Sequence, residues 1–377
     1  MKKIFLVFIC LFFITNVKAE EIGLAENAKS AILIEAKTGE ILYEKNSHEK
    51  LHPASMTKMM SMLLILEAIE NKIINWDDIV VVSPNASSMG GSQILLEIGE
   101  KMSVSDLFKG VAIASGNDAV VALAEKVAGN ESLFVEKMNN KAKELGLKDT
   151  HFSNCHGLDS TDHYSSAYDM SLIAKELSLH EEVFKYSSIY EDYLRKDTER
   201  KFWLVNTNKL VRFYEGADGF KTGYTNLAGY CLTATAKKDG MRLIAVVMGE
   251  ENSNTRNSEV TEMLDYGFSN YGVLNILSTK DKVGDISIVK GKKNSTSLYS
   301  KEDMTVLYKK IDKKPIITYE LETSKKEAPL KKGSVVGKIK INKNNNYLKS
   351  IELIINEDIE KLNFIEQYLG NIKNIFS

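Results

Sequence analysis

The chain has little of what specialised scaffolds are built from. Three cysteines in 377 residues are too few for a disulfide framework and for most zinc modules. Four prolines and 23 glycines exclude collagen-like and low-complexity classes. A net charge of −2 offers no basic field for nucleic acid. Long apolar runs are also missing: the longest, residues 4–14, is too short to cross a bilayer. What is present is ordinary globular composition, 44% apolar and 27% charged, with length for two or three domains.

The first residues set the compartment. Lys2 and Lys3 precede the apolar run at 4–14, and Val17-Lys18-Ala19 is a small-x-small cleavage pattern followed by Glu20. Residues 1–19 therefore read as a secretory signal peptide. Cys10 has no small residues before it, which argues against a lipoprotein signal. Cleavage would remove three basic residues and no acidic ones, and would leave Cys155 and Cys231. The mature chain is expected at the extracytoplasmic face of the membrane or secreted. Whether the two cysteines pair is left open by the sequence.

Residues 31–35 alternate as a strand and return through the turn Ala36-Lys37-Thr38-Gly39-Glu40 to Ile41-Leu42-Tyr43. Residues 55–70 are apolar nearly all round, the mark of a helix buried in a core. Residues 104–128 are helical in period but broken at Ser115-Gly116, and 130–145 form another amphipathic helix. Residues 228–236 and 242–249 flank Lys238-Asp239-Gly240 as a hairpin, and 258–268 is a further helix. Strands thus open and close the first 270 residues, with helices between. The economical arrangement is an α/β (α+β) catalytic domain, residues 20–272, whose antiparallel sheet uses both ends of the segment and is flanked by helices. Beyond it the composition shifts: residues 276–345 carry 17 Lys against eight acids, with short runs such as Val335-Val336-Gly337-Lys338-Ile339. Residues 273–356 read as a small β domain. Residues 357–377 read as an amphipathic helix with Leu362, Ile365, Leu369, Ile372 and Phe376 on one face. Its polar face is net acidic, so packing on its own domain competes with anchoring to a membrane surface.

Serine and lysine with few histidines point to serine acyl transfer. In Ser55-Met56-Thr57-Lys58 the first and last residues share a helix face. A neutral Lys58 amine there can take the Ser55 hydroxyl proton, provided burial or a nearby cation lowers its pKa. Ser-x-x-Lys also occurs at Ser47/Lys50 and Ser287/Lys290, but only Ser55 opens a long buried helix. Ser115-Gly116-Asn117 places polar groups inside an apolar helical stretch, where they must find partners. Ser115 can relay a proton, and the Asn117 amide can bond both a lysine and a peptide carbonyl. Lys221-Thr222-Gly223 lies on or beside the sheet edge. There Lys221 supplies a cation for a substrate carboxylate and depresses the Lys58 pKa. Thr222 adds a hydroxyl, and Gly223 permits close backbone approach. Lys37-Thr38-Gly39 repeats the triplet in a hairpin turn and reads as a coincidence. His52, His156 and His163 lack metal-ligand spacing and read as packing or surface residues.

The ordered set Ser55-x-x-Lys58, Ser115-x-Asn117 and Lys221-Thr222-Gly223 resembles the penicillin-recognising serine acyl transferases. The flanks His52-Pro53-Ala54, Gly116-Asn117-Asp118-Ala119, His156-Gly157-Leu158-Asp159, Tyr164-Ser165-Ser166-Ala167-Tyr168-Asp169 and Gly219-Phe220 through Tyr224-Thr225 look like the low-molecular-weight penicillin-binding proteins, which are D-alanyl-D-alanine carboxypeptidases. The likeness covers about residues 25–270, and 328–337 resembles that family's small C-terminal β domain. The resemblance implies Ser55 as nucleophile, Lys58 as general base, Ser115 as proton relay and Asn117 as the group that positions the substrate amide. It implies Lys221 and Thr222 at the substrate carboxylate, with Arg256 either near that pocket or a surface charge. Backbone N–H groups of Ser55 and Tyr224 would form the oxyanion hole. No cofactor or metal is implied. Expected partners are a peptidoglycan stem peptide and β-lactams as covalent inhibitors, with no nucleic acid. The expected reaction removes the terminal D-alanine of a pentapeptide. A D,D-endopeptidase is the near alternative. A β-lactamase is further off, since no Glu-x-x-Leu-Asn pattern lies between Asn117 and Lys221. The distal domain is expected to hold the cleft away from the membrane.

Overall fold

A computed structural model describes residues 23–367; the signal-peptide expectation lies outside them. Five antiparallel strands form the main sheet: β1 (Ser30–Glu35), β2 (Ile41–Lys45), β3 (Ala217–Thr225), β4 (Gly229–Lys238) and β5 (Met241–Glu250). Their spatial order is β2-β1-β5-β4-β3, so the two ends of the catalytic segment meet at the β1–β5 pair, from Ser30 opposite Met248 to Glu35 opposite Leu243. The central strands β1 and β5 are covered on both faces, so apolar residues fall on both sides of each. Ile32, Ile34, Ile244, Val246 and Met248 enter one core with the central helices. Their alternates Ala31, Leu33, Leu243, Ala245 and Val247 enter a second core. The β4–β5 turn places Asp239 and Gly240 at φ 48° and 77°, the left-handed pair that matches hairpin twist.

The first core is built on α1 (Lys58–Glu70), fully wrapped, as its apolar circumference requires. It is entered through a short 3-10 turn, Ala54–Thr57, that carries Ser55. The expected break at Ser115-Gly116 separates α2 (Val104–Ala114) from α3 (Asn117–Ala128), with Ser115 itself at φ 62°. α4 (Glu131–Glu144) follows, capped by Asn130. On the other face lies α5 (Ser253–Asn270), a turn longer at its start than its apolar spacing suggests. The Asn252 side chain accepts the N–H groups of Asn254 and Thr255 and so nucleates that extra polar turn, which carries Arg256.

Strand Tyr271–Leu277 pairs with Met304–Lys309 and leads into a six-stranded sheet with its own core of Ile286, Leu298, Val336, Ile339, Ile341 and Leu353. The expected helix from residue 357 is corrected: residues 357–361 run extended. Leu330 and Ile359 exchange backbone hydrogen bonds, and Ile359 is 2% exposed, so this stretch is drawn onto the β domain. Helix begins only at residue 364, and the rest of the expected amphipathic helix lies outside the described residues. Among the described residues no helix is long and apolar enough to cross a membrane.

Candidate active site

The turn that carries Ser55 is held by close backbone packing. Ala54 sits at φ 47°, a conformation non-glycine residues adopt at a cost. Two glycines press on it. A methyl group on Gly223 would lie 2.8 Å from the Pro53 carbonyl oxygen and 3.1 Å from the Ala54 Cβ. One on Gly157 would lie 1.9 Å from the Ala54 oxygen. Strand β3 and the loop at 154–158 therefore reach the turn that carries Ser55 only because both positions lack a side chain.

Lys58 is fully buried, and its Nζ has three neighbours. Ser55 Oγ lies at 2.9 Å, Asn117 Oδ1 at 2.6 Å and the His156 carbonyl oxygen at 2.6 Å. Asn117 opens α3, and its amide is oriented by its two ends: Oδ1 accepts from Lys58 and Nδ2 donates to the Gly90 carbonyl. The peptide carbonyl that this amide serves is thus one of the chain's own. Asp118 fixes the facing loop by accepting the N–H groups of Ile94 and Leu96. Ser115 is buried, and its hydroxyl has no hydrogen-bond partner among the described residues.

Lys221, Thr222, Gly223 and Tyr224 lie in β3, an edge strand of the sheet. Lys221 is fully buried, and among the described residues its ammonium group bonds only to the Thr222 carbonyl at 3.2 Å. The Thr222 hydroxyl bonds to Thr207 Oγ1 at 2.8 Å. Tyr224 is exposed, with its ring against Tyr230 at 4.3 Å. Arg256 is not a surface charge: it is 6% exposed and bonds to Asn257 Oδ1. Among the described residues Lys58, Lys221 and Arg256 make no ion pair, although all three are buried.

Three buried basic side chains without an ion pair among the described residues shape the electrostatics. Burial drives the Lys58 amine well below its usual value, and the nearby Lys221 charge lowers it further. Burial brings Lys221 to about 7, helped by Arg256. The arrangement holds a nucleophilic hydroxyl beside an amine inclined to be neutral, and a partly protonated amine that lacks an anion.

The histidines hold structure. His163 Nδ1 accepts the Ser153 N–H at 3.0 Å, so its Nε2 donates to Thr57 Oγ1 at 2.7 Å. Burial lowers its pKa to about 3. His156 Nδ1 accepts the Leu158 N–H, and burial lowers its pKa to about 4. His52 lies 4.0 Å from Asp159, which also accepts the Thr225 hydroxyl. Cys155 and Cys231 are separate and buried. The two other Ser-x-x-Lys matches and Lys37-Thr38-Gly39 stay outside this cluster. Sequence reasoning missed Thr207, the Gly90 carbonyl and Glu131, all of them neighbours only through the fold. Among the described residues no three His, Cys, Asp or Glu side chains converge on a metal-sized site.

The family described as D-alanyl-D-alanine carboxypeptidase matches residues 15–252, and that described as penicillin-binding protein 5, C-terminal domain, matches residues 271–361. The chain is 50% identical over 343 residues to the D-alanyl-D-alanine carboxypeptidase DacF of Bacillus subtilis, covering 91% of this chain and 88% of that one. It superposes on penicillin-binding protein 5 from Haemophilus influenzae with TM-score 0.71 and 33% identity, over 89% of this chain and 98% of the other. Penicillin-binding protein D2 of Listeria monocytogenes, solved in a cefotaxime-bound form, matches with TM-score 0.58 and 31% identity over 64% of this chain and 97% of that one. With both matches continuous along the described fold, the chain belongs to the D-alanyl-D-alanine carboxypeptidase family of serine peptidases, the low-molecular-weight penicillin-binding proteins.

Proposed function

We propose that the chain removes the terminal D-alanine of a peptidoglycan pentapeptide through an acyl-Ser55 intermediate, with Lys58 as general base. One observation carries this reading: the three-way environment of Lys58 Nζ. A neutral amine has two N–H groups and one lone pair. The His156 carbonyl and Asn117 Oδ1 can only accept, and they take the two N–H groups. The lone pair is left facing Ser55 Oγ at 2.9 Å, where the hydroxyl donates to it.

Ser55 Oγ attacks the carbonyl of the penultimate D-alanine as its proton passes to Lys58. The oxyanion is received by the backbone N–H groups of Ser55 and Tyr224. Lys58 returns the proton to the leaving nitrogen through Ser115, whose unpartnered hydroxyl supports a relay completed by substrate. The C–N bond breaks and D-alanine leaves. Water, deprotonated by Lys58, then cleaves the ester and restores Ser55. Lys221 and Thr222 bind the terminal carboxylate, Arg256 adds positive potential from beneath, and substrate supplies the missing anion.

A β-lactam places its carbonyl and carboxylate at the same two poles and would acylate Ser55. Export by the N-terminal segment would put the cleft outside the cytoplasm, and the β domain would act as a spacer from the membrane surface. The test is mass spectrometry of products from an acyl-D-alanyl-D-alanine pentapeptide. Loss of one alanine, absent in Ser55→Ala, is expected, together with a long-lived labelled-penicillin adduct on Ser55. Intact pentapeptide overturns the reading, and rapid release of hydrolysed penicillin favours a β-lactamase.

A further inference from the structure

The acceptor that orients Lys58 is a loop carbonyl, and a single carboxylate oxygen outside the motifs organises that loop. Glu131 opens α4, where the helix dipole favours an anion. Its Oε1 accepts the Cys155 N–H at 3.2 Å and the Cys155 thiol at 3.3 Å. The same atom lies 3.5 Å from His156 Nε2. Because His156 Nδ1 accepts the Leu158 N–H, the ring proton sits on Nε2, on the side of the ring nearer Glu131. Both donors of Cys155 thus converge on one oxygen, with the His156 ring beside it. The following peptide groups are fixed from the other side: Ser61 Oγ donates to the Cys155 carbonyl at 2.6 Å, and Asn154 Oδ1 accepts the N–H groups of His156 and Gly157. What is left free is the His156 carbonyl, aimed at Lys58 Nζ.

We infer that Glu131 is a positioning residue for the general base: it anchors Cys155 and His156 so that the His156 carbonyl holds one N–H of Lys58 and the amine lone pair faces Ser55. The inference rests on the proposed role of Lys58. Glu131 does not touch substrate, so its removal leaves KM in place and lowers kcat. Its loss also shifts Lys58. A carbonyl acceptor favours the ammonium, so a variant in which the His156 carbonyl is displaced has a lower Lys58 pKa, and the acid limb of kcat moves to lower pH.

The test compares Glu131→Ala, Glu131→Gln and Glu136→Ala, an exposed acid on the same helix that gives the same charge change. Release of D-alanine from a synthetic acyl-D-alanyl-D-alanine peptide is followed across pH, with thermal melting on the same samples. For Glu131→Ala we expect kcat to fall about tenfold to a hundredfold with KM within about twofold, and the acid limb to move down. Glu131→Gln, which keeps an oxygen for the Cys155 N–H, recovers most of kcat and folds where alanine fails. Glu136→Ala matches wild type. An unchanged acid limb in Glu131→Ala, or a glutamine variant no better than alanine, overturns the inference. Lys58→Ala is assayed in parallel. If it still releases D-alanine, the general-base reading falls, whatever Glu131 does.

Discussion

Gly157→Ala tests the packing that seats the nucleophile. Gly157 has φ 92°, and its new methyl group would stand 1.9 Å from the Ala54 oxygen and 2.4 Å from the Ala54 carbon. Both are backbone atoms, so no rotamer change relieves the collision. Left-handed strain costs about 1–2 kcal/mol. Overpacking adds about 1–3 kcal/mol. Reduced freedom of the unfolded chain returns about 0.4–1 kcal/mol. The net loss is about 1–5 kcal/mol, or roughly 2–20 °C in melting temperature for a domain of this size. Gly146→Ala is the internal standard: it has φ 72° but nothing within 4 Å, so it reports strain alone. The difference between the two variants isolates the contact with Ala54. The Ala54 carbonyl lies one residue before Ser55, so its displacement should also slow labelling by fluorescent penicillin about a hundredfold. If Gly157→Ala melts with Gly146→Ala and acylates like wild type, the close packing proposed to hold Ser55 is wrong.

The pH dependence of the carboxylate pocket follows from Lys221. With a pKa of about 7 in the free protein, its cation is present below that pH and lost above it. Thus kcat/KM for a carboxylate substrate should fall above neutrality, and Lys221→Ala should flatten that limb while raising KM. His163 acts on stability with the opposite acid sign. Its folded pKa of about 3 is depressed, so the unfolded chain binds its proton first, and stability falls as pH drops from about 6.5 towards 3. Acid unfolding of His163→Gln followed by circular dichroism should lack this component. Cys155 and Cys231 are buried, and burial raises both thiols. A thiol-reactive dye should label neither in the native protein and both in denaturant; fast native labelling would refute the burial.

The sequence was most informative where chemistry is local. Ser55 and Lys58 share one turn, and Ser115-Gly116 breaks an apolar helix visibly. Strand β3 was harder, because its residues are buried on both faces and carry no alternation, so Lys221 could be assigned only to a sheet edge. The first turn of α5 was missed because Asn252 and its polar neighbours supply a cap but no apolar spacing. The helical spacing that starts at Leu362 says nothing of residues 357–361, where backbone pairing of Ile359 with Leu330 holds the chain instead. Thr207, Gly90 and Glu131 join the site by contacts that no local spacing encodes.

Because Ser30 pairs with Met248, the central strands close a loop that spans almost the whole catalytic domain. Such closure is late and slow in folding. In the order β2-β1-β5-β4-β3, β5 alone links the opening hairpin to the pair of strands that carries Gly223 and Lys221. A chain cut before residue 241 therefore lacks the one strand that ties its last hairpin to its first.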